Sequence, residues 1–240
     1  MIAHEVRAKP LGSQDRTLPS TIGGRPIVAF GLAVPTCRLC STRMVLFFQL
    51  EVRAEFETPF RPGSLLSAFM CPKHNDIHSV CPDTRRDYSV KRRGQSTALP
   101  SRYWNRNAGH FKLLLLPPDG ERSFETADEH LAAQRLSFHK RTEDVTDYGL
   151  GRIVGSQGFK VGGLPAWSQD PEYYSCSCGS AMRFLCQVPD GFGFQKLPAA
   201  PEQPNSFSAF EYCLFLGNDV YLFACVNQCR PEAVWPVLQN

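Results

Sequence analysis

Eight residues of this chain fall at spacings that suit tetrahedral metal ions. Cys37 and Cys40 form a C-x-x-C pair in PTCRLCSTRM. Cys71 and His74 follow in CPKH, directly after the apolar run 65–70. Cys176 and Cys178 form a C-x-C pair in YSCSCGS, and Cys225 and Cys229 end the series in CVNQC, after the apolar run 220–224. Zinc takes four ligands, usually thiolate or imidazole, and structural sites draw them from two short-spaced pairs. The order pair, strand, loop, strand, pair occurs twice. That is the logic of a zinc ribbon, in which hairpin tips carry the ligands and the metal joins them. The expectation is up to two structural Zn²⁺ ions. One sits on Cys37, Cys40, Cys71 and His74, with His78 and Cys81 as alternative fourth ligands. The other sits on Cys176, Cys178, Cys225 and Cys229. A redox role for Cys37 and Cys40 fits less well. A thioredoxin-like pair lies between a strand and a helix, and the segment that follows here reads as β. Cysteine is also among the most buried residue types. Cys186 in FLCQV and Cys213 in EYCLFL are read as core thiols for that reason.

The elements that must position these ligands recur as well. Aligning Cys40 with Cys178 brings Met44 onto Met182 and Gln49 onto Gln187 without a gap. Upstream, Ile22-Gly23-Gly24-Arg25-Pro26 aligns with Val161-Gly162-Gly163-Leu164-Pro165, and Cys37 with Cys176, one residue out of step with the first block. One residue is therefore missing between the cysteines of the second copy. An internal duplication outranks other fold signals. Both Gly-Gly-x-Pro stretches predict tight turns, with glycine supplying positive φ and proline fixing the exit. Gln49 and Gln187 lie in apolar strands, where a buried amide must find partners. Each is expected to pin a loop or the Gly-Gly turn.

The first unit runs over 21–80, after a polar lead-in, and contains strands at 44–52 and 65–70. Residues 82–108, rich in Arg, Ser, Pro and Asn, read as a connector. A strand is expected at 110–116, a turn at PPDGER, and a helix over 126–139. Thr126 would be its N-cap, with Glu129 three residues on. The second unit runs over 150–240, with strands at 182–188, 212–216 and 220–226. A hairpin is expected to close at Gly217-Asn218-Asp219. By thirds, 1–100 holds the first unit with its lead-in and connector, 101–149 a linking strand and helix, and 150–240 the second unit. The class is α+β, β-rich: duplicated, zinc-ribbon-like halves packed as one pseudo-symmetric body.

The 240 residues, 42% apolar and 20% charged, suit one large or two small folded domains. A net charge of +3 is too weak to argue for nucleic acid. The N-terminus has no apolar stretch of signal-peptide type, and the longest apolar runs are too short to span a bilayer. The expected address is the cytoplasm, with thiols kept reduced. Catalytic motifs are missing. There is no HExxH, GSQG at 155–158 lacks the spacing of a nucleophile elbow, and Gly191-Phe-Gly193 has no third glycine for a dinucleotide loop.

GGLPAW, the cysteines, MRFLCQV and VYLFACVNQC together resemble the YwqG-like family of bacterial proteins, which share a Gly-Gly-x-Pro turn and an apolar strand ending in Gln. They are also similar to the programmed cell death protein 2 family, with its cysteine-bearing halves. The match covers about half of the chain, mostly 160–188 and 220–230. The chain lacks the long charged insertions of the eukaryotic group, which favours a bacterial origin. YwqG-like domains occur among immunity proteins of toxin systems. The resemblance thus implies a non-enzymatic binding protein that neutralises a cognate toxin by occluding its active site. Two other readings stand beside it: a zinc-stapled chaperone or adaptor for a client such as a ribosomal protein, and an enzyme with an unrecognised site. Tight interfaces rest on Trp, Tyr and Arg anchors. The connector offers Arg85, Arg86, Tyr103, Trp104 and Arg106 as partner contacts. The acids Glu121, Glu125, Asp128 and Glu129 near the expected helix offer a second surface.

Overall fold

The computed structural model describes residues 1–12, 17–75, 97–98, 109–149 and 153–240. The strands of the first half are β1 (Ile2–Pro10), β2 (Thr21–Ile22), β3 (Ile27–Ala29), β4 (Val45–Glu51), β5 (Leu65–Met70), β6 (Thr97–Ala98) and β7 (Phe111–Leu116). Next come β8 (Arg122–Phe124), β9 (Gln134–Thr142), β10 (Thr146–Asp147), β11 (Ile153–Val154) and β12 (Lys160–Gly162). The rest are β13 (Tyr174–Ser175), β14 (Met182–Val188), β15 (Phe194–Gln195), β16 (Glu211–Tyr212), β17 (Asp219–Cys225) and β18 (Val234–Gln239).

Ten of these strands form one sheet in the order β18-β17-β14-β12-β1-β9-β2-β4-β5-β7. The order reads alike from both ends. Three long strands lie at each flank, a two- or three-residue strand comes next, and β1 and β9 meet in the middle. β1 pairs antiparallel with β9 from Ile2↔Thr142 to Pro10↔Gln134, centred on Val6↔Phe138. The sheet curls until its edges meet. Leu115 N on β7 donates to Pro231 O just before β18 (2.7 Å), and Lys112 pairs with Glu232 at 3.6 Å.

The flanking strands are continuous apolar runs because both of their faces are covered. In β4, Val45, Phe48 and Leu50 face the main core, whereas Leu46 packs into a second cluster with Ile27, Val28, Leu65 and Phe69. The β3–β8 ribbon covers that outer face. Single-face alternation is therefore absent from these sequences. β4 carries a register shift between Leu46 and Phe48, and β14 one between Phe184 and Cys186. These positions align at the offset that brings Cys40 onto Cys178.

Three expectations are corrected. The described residues contain no α-helix, only 3-10 turns at Ala54–Phe56 and Leu214–Gly217, so the fold is β-rich rather than α+β. The helix expected over 126–139 is instead a turn followed by β9. Asp128 Oδ1 accepts from His130 N (2.6 Å), which closes a local turn. Beyond it, Leu136 and Phe138 alternate with Arg135, Ser137 and His139, the period of a half-buried strand. Pairing with β1 at the far end of the chain decides the matter. The hairpin at Gly217-Asn218-Asp219 is also absent. β17 pairs with β14 and β18, while Tyr212 belongs to the β15–β16 ribbon. Phe215 and Leu216 adopt positive φ (49° and 60°), and this left-handed turn carries the chain into β17. No helix of the described residues is long and apolar enough to cross a membrane.

Candidate metal centres

Each half builds a cysteine loop ahead of one flanking strand and a second ligand pair behind the next. In the first, Cys37 N donates to Thr42 O (2.8 Å) and Ser41 N to Cys37 O (2.8 Å). In the second, Cys176 N donates to Ser180 O (2.8 Å) and Gly179 N to Cys176 O (2.9 Å). Ser41 and Gly179 align, and both have positive φ (56° and 86°). The C-x-C loop, one residue shorter between its cysteines, thus closes in the same way as the C-x-x-C loop. The loops lead into β4 and β14. β5 and β17 run antiparallel to these strands and return to the same end, where Cys71 follows Met70 and Cys225 ends β17.

The result is two groups of four. Cys37, Cys40, Cys71 and His74 bring their ligand atoms within 4.8 Å of one another, and so do Cys176, Cys178, Cys225 and Cys229. In the first group, Cys40 Sγ lies 3.6 Å from Cys71 Sγ, and His74 Nδ1 lies 3.6 Å from Cys37 Sγ and 3.4 Å from Cys71 Sγ. In the second, Cys176 and Cys229 are 3.5 Å apart, as are Cys178 and Cys225. A tetrahedron with metal–sulfur bonds of about 2.3 Å has edges of about 3.8 Å, and a nitrogen vertex shortens them slightly. Each group could therefore hold a metal ion with little movement. The separations are too long for disulfides, whose sulfurs lie about 2.05 Å apart.

The electrostatics of the two groups run in parallel. A hydrogen bond from Thr42 favours the Cys40 thiolate and lowers that thiol to about 6. Ser180 does the same for Cys178, also to about 6. Burial pushes Cys71 up to about 12, and raises Cys225 and Cys229 as well. Cys71 in the first group, and Cys225 and Cys229 in the second, thus hold protons that an entering cation must displace. Thr42 and Ser180 were not singled out from the sequence. Their signal was present, a hydroxyl residue two positions after the second cysteine of both pairs.

The Gly-Gly turns sit behind these centres. Gly23 and Gly24 have φ of 54° and 76°, and Gly162 and Gly163 have 72° and 71°. Gln49 Oε1 accepts from Ile27 N (3.0 Å), and Gln187 Oε1 accepts from the aligned Ala166 N (3.0 Å). Each glutamine pins the exit of its turn to the strand. The second turn is held further by Lys160 and Glu143, which no local sequence signal announces. Both side chains are fully buried. Lys160 Nζ donates to Glu143 Oε1 and Leu164 O, and Leu164 N donates to Glu143 Oε2 (2.8 Å). Burial draws Lys160 below the ordinary lysine value, opposed by the carboxylate.

Cys186 and Cys213 are buried away from both groups, and burial raises the Cys186 thiol. His78, Cys81, Arg85, Arg86, Tyr103, Trp104 and Arg106 lie outside the described residues. Of the four acids, Asp128 is engaged with His130, and Glu121 and Glu129 are exposed. No protein-family model matches the chain, and no curated protein matches it.

Proposed function

We propose that the chain is a non-enzymatic protein-binding scaffold stapled by two structural zinc ions, and that it serves in the cytoplasm as an immunity protein occluding the active site of a cognate toxin. One observation carries the non-catalytic part of this reading: each group supplies four protein ligands. Catalytic zinc sites keep a position open for water or substrate, whereas structural sites are closed. Three or four thiolates also suit zinc better than hard cations, which prefer oxygen ligands. The toxin as partner follows from the resemblance of the sequence to YwqG-like proteins. We further read the two halves as copies of one duplicated unit. The aligned Gly-Gly turns, glutamines, strand irregularities and cysteine loops support this, as does a sheet order that reads alike from both ends.

Elemental analysis of the purified protein tests the metal, with two zinc ions per chain expected. Cys40→Ser and Cys178→Ser should each lose one ion and destabilise the fold strongly. A metal-free, fully folded protein would refute both centres. Co-expression with the product of the adjacent gene, followed by pull-down, tests the partner. The triple variant with alanine at Tyr103, Trp104 and Arg106 should weaken that complex while zinc content and melting temperature stay nearly unchanged. Undiminished affinity would remove the connector from the interface, and turnover of any substrate by the purified protein would sink the binding reading.

A further inference from the structure

The two centres differ in how they meet solvent and in what they can become. At the first, Cys37 and Cys71 are buried, Cys40 and His74 half-buried, and the histidine leaves an odd number of sulfurs. At the second, all four ligands are thiols, and Cys178 and Cys229 are exposed. Each exposed thiol has a buried one at 3.5 Å, Cys225 for Cys178 and Cys176 for Cys229. Thiol oxidation follows thiolate character and access, and is completed fastest where a resolving cysteine waits nearby. The second centre offers an accessible thiol with a resolving partner twice.

We propose that the second centre is a peroxide-sensitive thiolate switch, which forms the disulfides Cys178–Cys225 and Cys176–Cys229 and expels its metal while the first centre keeps its own. The metal half of this inference rests on the reading that the centre holds zinc. The Cys178 sulfur attacks one oxygen of hydrogen peroxide. An S–O bond forms, the O–O bond breaks, and hydroxide leaves. The Cys225 thiolate then attacks the same sulfur. The S–S bond forms, the S–O bond breaks, and a second hydroxide leaves. Two thiolates lose two electrons, the peroxide gains them, and two protons from solvent convert the hydroxides to water. A second equivalent of peroxide does the same at Cys229 and Cys176. Disulfide sulfurs carry no charge to hold Zn²⁺, which leaves hydrated.

The consequence reaches the seam of the sheet. Closing each pair to about 2.05 Å draws its sulfurs together by roughly 1.5 Å. Gln228 lies between Cys225 and Cys229 at a positive φ of 44°. Its side chain accepts from Arg61 N (3.1 Å) and donates to Ser64 Oγ (2.8 Å) in the turn before β5. Three residues on, Pro231 O takes the Leu115 amide of β7. A contracted cysteine loop pulls on both contacts, so oxidation loosens the junction between β7 and β18.

The test uses the full chain, purified reduced and analysed for zinc. It is treated with two equivalents of hydrogen peroxide in the presence of a chromogenic zinc chelator. One zinc per chain should appear as the two named disulfides form, identified by peptide mass mapping. Amide exchange should rise at Arg61 and Leu115, and reductant with added zinc should reverse every change. Cys229→His keeps four ligands but removes one pair, and should retain its metal longer under peroxide. Zinc retained with four free thiols at this centre would overturn the switch and leave the metal reading intact. Discharge of the first centre before the second would overturn it too. The same two disulfides forming in a protein that carries no zinc would uphold the thiol pairing and remove the metal.

Discussion

Gln49 and Gln187 are buried amides within β4 and β14, and both ends of each are hydrogen-bonded. Gln49 Nε2 donates to Arg25 O (3.1 Å) and Gln187 Nε2 to Gly158 O (3.0 Å), so each amide bridges its turn through both ends. Removing one partner leaves the other buried and unpaired, which costs about 1–3 kcal/mol per group. Gln187→Leu should therefore destabilise by at least that much in denaturant unfolding, with Gln49→Leu behaving alike. His4 is the second residue whose surroundings predict a measurement. It is buried, its ring lies 5.0 Å from that of Phe56, and its Nδ1 has no hydrogen-bond partner among the described residues. Burial lowers it below 6.5, with Glu55 and Glu57 opposing that shift and Lys140 and Arg53 adding to it. A lowered value means that the unfolded chain binds the proton more readily. The stability that neutral His4 supplies is present above pH 6.5 and is lost as pH falls through its folded value. His4→Phe should lose less stability than the wild type between pH 7 and pH 5, read from melting temperatures. Equal losses would show that His4 does not titrate with folding.

At the scale of elements, the second Gly-Gly turn leaves little room for a side chain. A Cβ on Gly163 would sit 3.0 Å from Ala3 Cβ and closer still to Glu143 Oε2, at a φ of 71°. The left-handed backbone costs about 1–2 kcal/mol and overpacking about 1–3 kcal/mol more. Gly31 has similar backbone, φ 79°, but nothing within 4 Å of an added Cβ. Gly163→Ala should thus lower stability by about 2–5 kcal/mol and Gly31→Ala by only about 1–2 kcal/mol. Comparable losses would mean that backbone strain alone sets the cost. β9 shows the opposite case, an element whose local signals misled. Thr126, Glu129, Leu131 and Leu136 spell a capped amphipathic helix, yet nine residues of that region and beyond lie flat against β1.

The whole molecule hangs on contacts that are distant in sequence. β1 borders β12 on one side and β9 on the other, which links the two flanks across the centre of the sheet. The seam between β7 and β18 links them again at the edges. A structural zinc contributes on the order of 10 kcal/mol or more to folding, against a typical total stability of about 5–15 kcal/mol. Prolonged chelation at neutral pH should therefore unfold the chain in large part, followed by circular dichroism, and added Zn²⁺ should restore it. Unchanged melting after complete metal removal would show that the sheet stands without its staples.

The sequence by itself determined the grouping of the cysteines and His74 into two sets of four, the Gly-Gly turns, the glutamine pins and the strands β4, β5, β7, β14 and β17. All of these rest on local chemistry: short spacings of Cys and His, glycine at positive φ, and apolar runs bounded by turn residues. Only the tertiary structure decided that residues 134–142 are a strand, that β1 joins the halves, and that Lys160 meets Glu143. It alone set Gln228 against the turn before β5. Those outcomes depend on partners up to 167 positions away. Pairing and burial at such separations override local propensity, because the strand or the charge is stabilised only once its partner is in place.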